Sequence, residues 1–199
     1  MTDTEKAYDN GKEKTMYNIY DDIESVLVSE EEIAEICDKL AAQITEDYRD
    51  SGRELVFVVI LKGSIFFATD LIRRIPLPST IEFMKVSSYG AGTSTSGFIQ
   101  IHLDLKRDIA GADVIVIEDI IDSGRTLEKL SHLFENRGAH SIKCCTLLDK
   151  PERRQVDFKA DYVGRCIPDR FVVGYGLDFD EKYRGLPFVG ILKPCVYEK

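Results

Sequence analysis

The sequence predicts an α/β fold in which a parallel sheet carries helices on both faces and a small hood closes the C-terminal end. Three observations predict it. Residues 55–61 and 114–117 are uninterrupted apolar runs rich in β-branched side chains, the pattern of strands buried on both faces, and 142–148 reads as a third strand. Helical patterns separate them, so successive strands are joined by crossovers and run parallel. Each run ends in a polar cluster, at 62–64, 118–126 and 149–150, which puts three polar loops beyond the carboxyl edge of one sheet. In a Rossmann-like sheet that edge is where ligands bind.

Residues 1–14 mix charges of both signs and read as a solvated tail. Ser29 and Glu32 form a capping box, behind which Ile33, Ile36, Cys37, Leu40, Ile44 and Tyr48 recur at helical spacing. The strand at 55–61 gives way at Lys62-Gly63-Ser64 to a helix over about 65–75, stopped by Pro76 and Pro78. Strands at 80–87 and 98–103 flank 88–97, a small, polar, glycine-rich linker that predicts a mobile loop. The strand at 114–117 runs through its polar cluster into a helix ending near Gly138, and 142–148 is the next strand. From Asp161 onward the chain is rich in aromatics, glycine and short strand-like pieces, with no clear helix. The expected division is a tail at 1–14, a core at 15–160 and a hood at 161–199. Residues 15–28 are able to join the hood through the strand-like 23–28.

Hydrophobic residues make up 44% and charged residues 31%, enough apolar content for one globular core. The net charge of -9 repels phosphate backbones, so nucleic acid is not an expected partner. No run of 18 apolar residues is present, so no membrane-spanning helix is expected. The first residues also lack the apolar stretch of a secretory signal. The five cysteines are an odd number without CxxC spacing, and Cys144 and Cys145 are adjacent in an apolar run. Buried thiols in a reducing, cytoplasmic compartment are expected. His102, His132 and His140 do not pair at metal-ligand spacing and read as solvated or structural.

The stretch Glu118-Asp119-Ile-Ile-Asp122-Ser123-Gly124-Arg125-Thr126 carries the most chemistry. Together with the apolar run before it, it reads as a strand, a tight turn and a helix start. Main-chain N–H groups of 123–126, the helix dipole, and the Ser123 and Thr126 hydroxyls make a cradle for a monophosphate. Gly124 lets the backbone approach an anion closely. The GxxxxGK[ST] spacing of a Walker loop is missing. Acids beside an anion site need other work. Glu118 and Asp119 can accept from a sugar diol or hold a magnesium shared with it, and Asp122 can act as a general base.

An apolar strand followed by E-D-I-I-D-[ST]-G-[RK]-T and a helix resembles the type I phosphoribosyltransferases. Roughly residues 20–193 look like the hypoxanthine-guanine branch of that family. The resemblance implies that Asp122, Ser123, Gly124, Arg125 and Thr126 bind the 5-phosphate of 5-phosphoribosyl 1-pyrophosphate. It implies that Glu118 and Asp119 face the ribose hydroxyls and Mg2+, and that Asp122 is the catalytic acid/base at the purine N7. Leu61-Lys62-Gly63-Ser64 is similar to the family's pyrophosphate loop, which implies a non-proline cis peptide between Leu61 and Lys62. Ser88-Tyr89-Gly90 opens what would be the closing loop over the site, excluding water from an oxocarbenium-like ribose. Lys150 matches the lysine that donates to a purine O6. Phe171 matches the ring that stacks on the base, and Val172 the backbone that reads its edge. Asp178 and Arg184 match residues at the base, metal and pyrophosphate end, with Asp178 a third metal ligand.

The implied activity is purine salvage, in which hypoxanthine and guanine become IMP and GMP. A donor at Lys150 suits a 6-oxo group and mismatches the 6-amino group of adenine. Two rivals stand beside this reading, a xanthine-preferring transferase and a non-catalytic sensor of 5-phosphoribosyl 1-pyrophosphate. The family implies a homodimer or homotetramer.

Overall fold

The computed structural model describes residues 17–88 and 99–198. The expected tail, Tyr89 and the rest of the closing loop lie outside the described residues. Strand β1 (Ile23–Val28) leads into helix α1 (Glu30–Tyr48). The capping box forms in both directions: Glu32 N–H donates to Ser29 Oγ at 3.2 Å, and Ser29 N–H donates to Glu32 Oε2 at 2.8 Å. The helix buries Ile33, Cys37, Leu40, Ala41, Ile44 and Tyr48.

Strand β2 (Leu55–Ile60) is buried along its whole length. Helix α2 (Ile65–Ile72) ends earlier than expected. Before Pro76 the chain tightens, with Arg74 N–H on Leu71 O and Ile75 N–H on Ile72 O at 3.0 and 3.1 Å. Strands β3 (Ser79–Ser88), β4 (Ile99–Leu103) and β5 (Asp113–Ile121) follow, then helix α3 (Arg125–Asn136). Strand β6 (Ser141–Asp149) and strand β7 (Tyr162–Cys166) complete the larger sheet. Its order is β4-β3-β2-β5-β6-β7, parallel except for the β3–β4 pair. Alternate residues feed two cores. Phe57, Val59, Ile115 and Ile117 pack under α1 and α2, while Val56, Val58, Val114 and Val116 pack under α3.

Two elements differ from expectation. Strand β5 extends through Ile121, because Glu118, Ile120 and Ile121 stay in register with Thr146, Leu148 and Asp149. The two acids therefore sit on a strand end rather than in a loop. The hood boundary at 161 is also displaced, because β7 pairs with β6 in the larger sheet. Tyr162 buries its ring in the core under α1, and a Cβ at Gly164 would lie 2.5 Å from Leu147 O, so the two strands approach closely there.

The smaller sheet is antiparallel, in the order β1-β9-β8, with β8 at Val172–Val173 and β9 at Val189–Leu192. Residues Ile23–Val28 thus lie beside the C-terminal strands. A short helix α4 (Pro194–Tyr197) follows where no helix was expected; four residues are too few to show a helical period.

Candidate active site

A cavity of about 450 Å3 opens at the carboxyl edge of the larger sheet. Lys62, Gly63, Glu118, Asp119, Asp122, Ser123, Gly124, Thr126, Asp178 and Arg184 all line it. Sequence segments far apart in the chain are therefore brought to one place.

The β5–α3 turn forms one end. Gly124 precedes α3 with φ of 79°, a left-handed conformation that favours glycine. The first-turn N–H groups of α3 have no intrahelical acceptor and carry the positive end of the helix dipole. Arg125 N–H reaches Ser123 Oγ only weakly, at 3.4 Å. The Arg125 side chain is exposed and does not line the cavity, so its contribution here is its main chain.

Glu118 and Asp119 lie at the end of β5, half-buried in the cavity wall. Burial pushes both carboxyls above their usual range, and the neighbouring Asp119 charge raises Glu118 further. Two adjacent carboxylates that resist ionisation together form an acceptor pair for a diol or a hard cation. Among the described residues no three Asp, Glu, His or Cys side chains gather as a metal cage. The pair fits magnesium, which is commonly held by one or two carboxylates plus substrate oxygens and water.

The β2–α2 loop forms the opposite end. The Leu61–Lys62 peptide is cis. Ser64 is fully buried and its hydroxyl donates to Ile60 O. Glycine is required at Gly63, where a Cβ would lie 1.6 Å from Asp119 Oδ2. Gly176, at φ 104°, presses on the same loop from the C-terminal segment; its Cβ would lie 1.8 Å from Gly63 O.

The turn from Asp178 to Arg184 brings the second cation. Asp180, Glu181 and Tyr183 have φ of 52°, 62° and 72°. Arg184 donates from Nη1 to Gly176 O at 2.7 Å and from Nη2 to Asp178 Oδ1 at 2.8 Å. Its buried Nε has no acceptor among the described residues. Asp178 Oδ2 accepts from Glu181 N–H at 3.0 Å, so both oxygens of this predicted metal ligand already have partners.

The predicted base-side residues stand beside the cavity rather than in its wall. Lys150 is only 6% exposed. Its ammonium donates to Arg170 O at 2.8 Å and lies 3.9 Å from Asp122 Oδ1 and 3.7 Å from Asp169 Oδ1. Phe171 is 38% exposed, stacked on Tyr197 at 4.7 Å and edge-on to Phe179 at 5.6 Å. Val172 is buried in β8, paired with Ile191. Ser88 ends β3, and its neighbour Ser87 lines the cavity.

Sequence reasoning missed two supports. Arg154 donates to Asp122 O at 2.6 Å and to the Asp149 carboxylate, holding the β5–α3 turn from behind. Asp22 accepts from the Tyr17 hydroxyl and from the Tyr183 hydroxyl, the latter at 2.6 Å, next to Arg184. Neither residue belongs to a local pattern, so no sequence signal marked them.

The chain matches the phosphoribosyl transferase domain over residues 26–180. A curated hypoxanthine-guanine phosphoribosyltransferase of Staphylococcus epidermidis is 51% identical over 181 residues, 91% of this chain and 100% of that one. A crystal structure of a hypoxanthine phosphoribosyltransferase from Staphylococcus aureus aligns with a TM-score of 0.88 at 49% identity, covering 94% and 100% of the two chains. A hypoxanthine-guanine phosphoribosyltransferase from Bacillus anthracis, with HEPES in its active site, aligns with a TM-score of 0.81 at 50% identity, covering 86% and 99%.

Proposed function

The chain belongs to the phosphoribosyl transferase domain family, and on that premise we propose that it transfers the 5-phosphoribosyl group of 5-phosphoribosyl 1-pyrophosphate to N9 of hypoxanthine and guanine. IMP or GMP and pyrophosphate leave, so the reaction salvages purines. One observation supports this reading: a single cavity joins the start of helix α3, the Glu118–Asp119 carboxylate pair, and the cations Lys62 and Arg184.

The 5-phosphate binds the amides and hydroxyls of Ser123, Gly124, Arg125 and Thr126. Glu118 and Asp119 accept from the ribose hydroxyls and, with Asp178, would hold magnesium. Bound there, magnesium supplies positive charge beside the departing pyrophosphate. Lys62, the Gly63 amide and Arg184 neutralise the same group from the protein side. As the C1–O bond breaks, N9 of the purine attacks C1. Asp122 takes the proton that the purine loses, through N7. Lys150, buried beside the cavity, donates to O6, and Phe171 stacks on the ring while the Val172 backbone reads its edge. In the structure Lys150 donates to a carbonyl oxygen, and a purine amino group presented to it would set one donor against another.

The active form is a homodimer or homotetramer. Ile65 and Phe66 of α2 and Ile81 and Phe83 of β3 are apolar and exposed, as an interface would leave them in one copy. The compartment is the cytoplasm. All five cysteines are free thiols, and no described helix is long and apolar enough to cross a membrane.

A panel of hypoxanthine, guanine, xanthine and adenine, each assayed with and without magnesium, tests the proposal. Conversion of the first two, dependent on magnesium and with adenine inert, is expected. Conversion of adenine, or of no purine at all, would overturn it.

A further inference from the structure

The two cations assigned to pyrophosphate are not free in the structure. Lys62 Nζ donates to Glu181 Oε2 at 2.6 Å, and Arg184 Nη2 lies 3.3 Å from Glu181 Oε1. One carboxylate thus places an oxygen on each cation. Lys62 and Arg184 line the cavity, and Glu181 reaches them from outside its wall. The Glu181 backbone is fixed, with φ 62° and its N–H on Asp178, so rotation of the side chain alone can release the contact.

We propose that Glu181 is an internal competitor of pyrophosphate, a carboxylate that occupies Lys62 and Arg184 in the empty site and swings into solvent when the diphosphate enters. The inference rests on the reading of Lys62 and Arg184 as the pyrophosphate cations. Charge and geometry support it. An exposed carboxylate is an anion at neutral pH, and the Lys62 ammonium and Arg184 guanidinium lie 2.6 and 3.3 Å from its two oxygens. A carboxylate brings one negative charge to these cations, and a diphosphate brings more. The contact is also easily broken. The Lys62 and Glu181 side chains are 51% and 64% exposed, and ion pairs at such sites are weak. An easily displaced anion keeps two neighbouring cations from repelling one another without blocking the substrate. It also lowers apparent affinity for pyrophosphate, which is the reaction's product and must depart.

The opposite role is a structural one, in which Glu181 holds Lys62 and Arg184 in place for the ligand. The two roles predict opposite signs. Glu181→Gln removes the charge at constant shape. Glu181→Asn shortens the side chain and tolerates a positive φ. Calorimetric titration of the full-length wild type and both variants with magnesium pyrophosphate separates them. Binding should tighten by about two- to fivefold in both variants. The KM for 5-phosphoribosyl 1-pyrophosphate should fall by a similar factor, and the gain should shrink at high salt. Equal or weaker pyrophosphate binding in both variants would overturn the proposal. Wild type that binds no pyrophosphate would instead sink the assignment of the two cations, and the inference with it. Lys62→Ala in the same titration checks that assignment directly, since its binding should be lost whatever Glu181 does.

Discussion

Asp22 lies far from any motif, yet its carboxylate touches the turn that presents Arg184. It accepts from Tyr17 and Tyr183, and those hydrogen bonds, Tyr17 first, hold its carboxyl below the usual range. A depressed folded value means that its stabilisation is complete above the ordinary carboxylate pKa and is lost as pH falls through the folded one. Asp22→Asn should therefore lower Tm by on the order of a degree or two near neutrality, with the difference closing below about pH 4. Thermal melts across pH would check this. A Tm difference that persists unchanged in acid would remove the carboxylate as the cause. The same variant should raise the KM for 5-phosphoribosyl 1-pyrophosphate more than that for the base. Residues such as Glu118, Asp119, Asp122 and Gly124 were legible because they share one local stretch. Asp22 and Glu181 were not, because their partners are distant in sequence, 161 residues from Asp22 to Tyr183 and 119 from Lys62 to Glu181.

At the scale of elements, the β5–α3 turn depends on the segment behind it. A Cβ on Gly124 would meet Arg154 Cδ at 3.0 Å and Val156 Cγ2 at 3.2 Å, and Gln155 N–H donates to Ser123 O at 3.0 Å. Arg154 and Asp149 form an ion pair whose side chains are 16% and 12% exposed. Removing one partner of a buried pair strands the other charge, so Arg154→Ala should cost about 3 kcal/mol. It should also raise the KM for 5-phosphoribosyl 1-pyrophosphate by loosening the Asp122 carbonyl. Urea denaturation and steady-state kinetics would check both; a variant as stable as wild type would show that Arg154 is not a clamp. The strand, turn and helix at 114–136 were readable because apolar runs, a tight turn and a helical period each act within a few residues. The extension of β5 to Ile121 was not. Polar residues at a strand end look like loop until a neighbouring strand supplies the register, as β6 does here.

For the whole molecule, the outstanding surface is the apolar patch of α2 and β3. Ile81 and Phe83 pair in register with Phe57 and Val59, which pack under α1 and α2, so they face the same side of the sheet as α2. If this patch joins two copies, Phe66→Glu combined with Phe83→Glu should yield a folded monomer. Both side chains are more than 40% exposed, at 44% and 43%, so the fold should tolerate the change. Sedimentation equilibrium would decide, and an assembly of unchanged mass would exclude the patch as the interface. By itself the sequence determined the α/β class, the order of the main strands and helices, and the motif that forms the β5–α3 turn. Those features follow from side-chain periodicity and turn chemistry, which act over short stretches of chain. Only the tertiary structure decided that β7 completes the larger sheet, that Arg154 braces the turn, and that Glu181 lies on Lys62 and Arg184. Coulomb forces and packing act on distance in space, and the fold alone sets that distance for residues far apart in the chain.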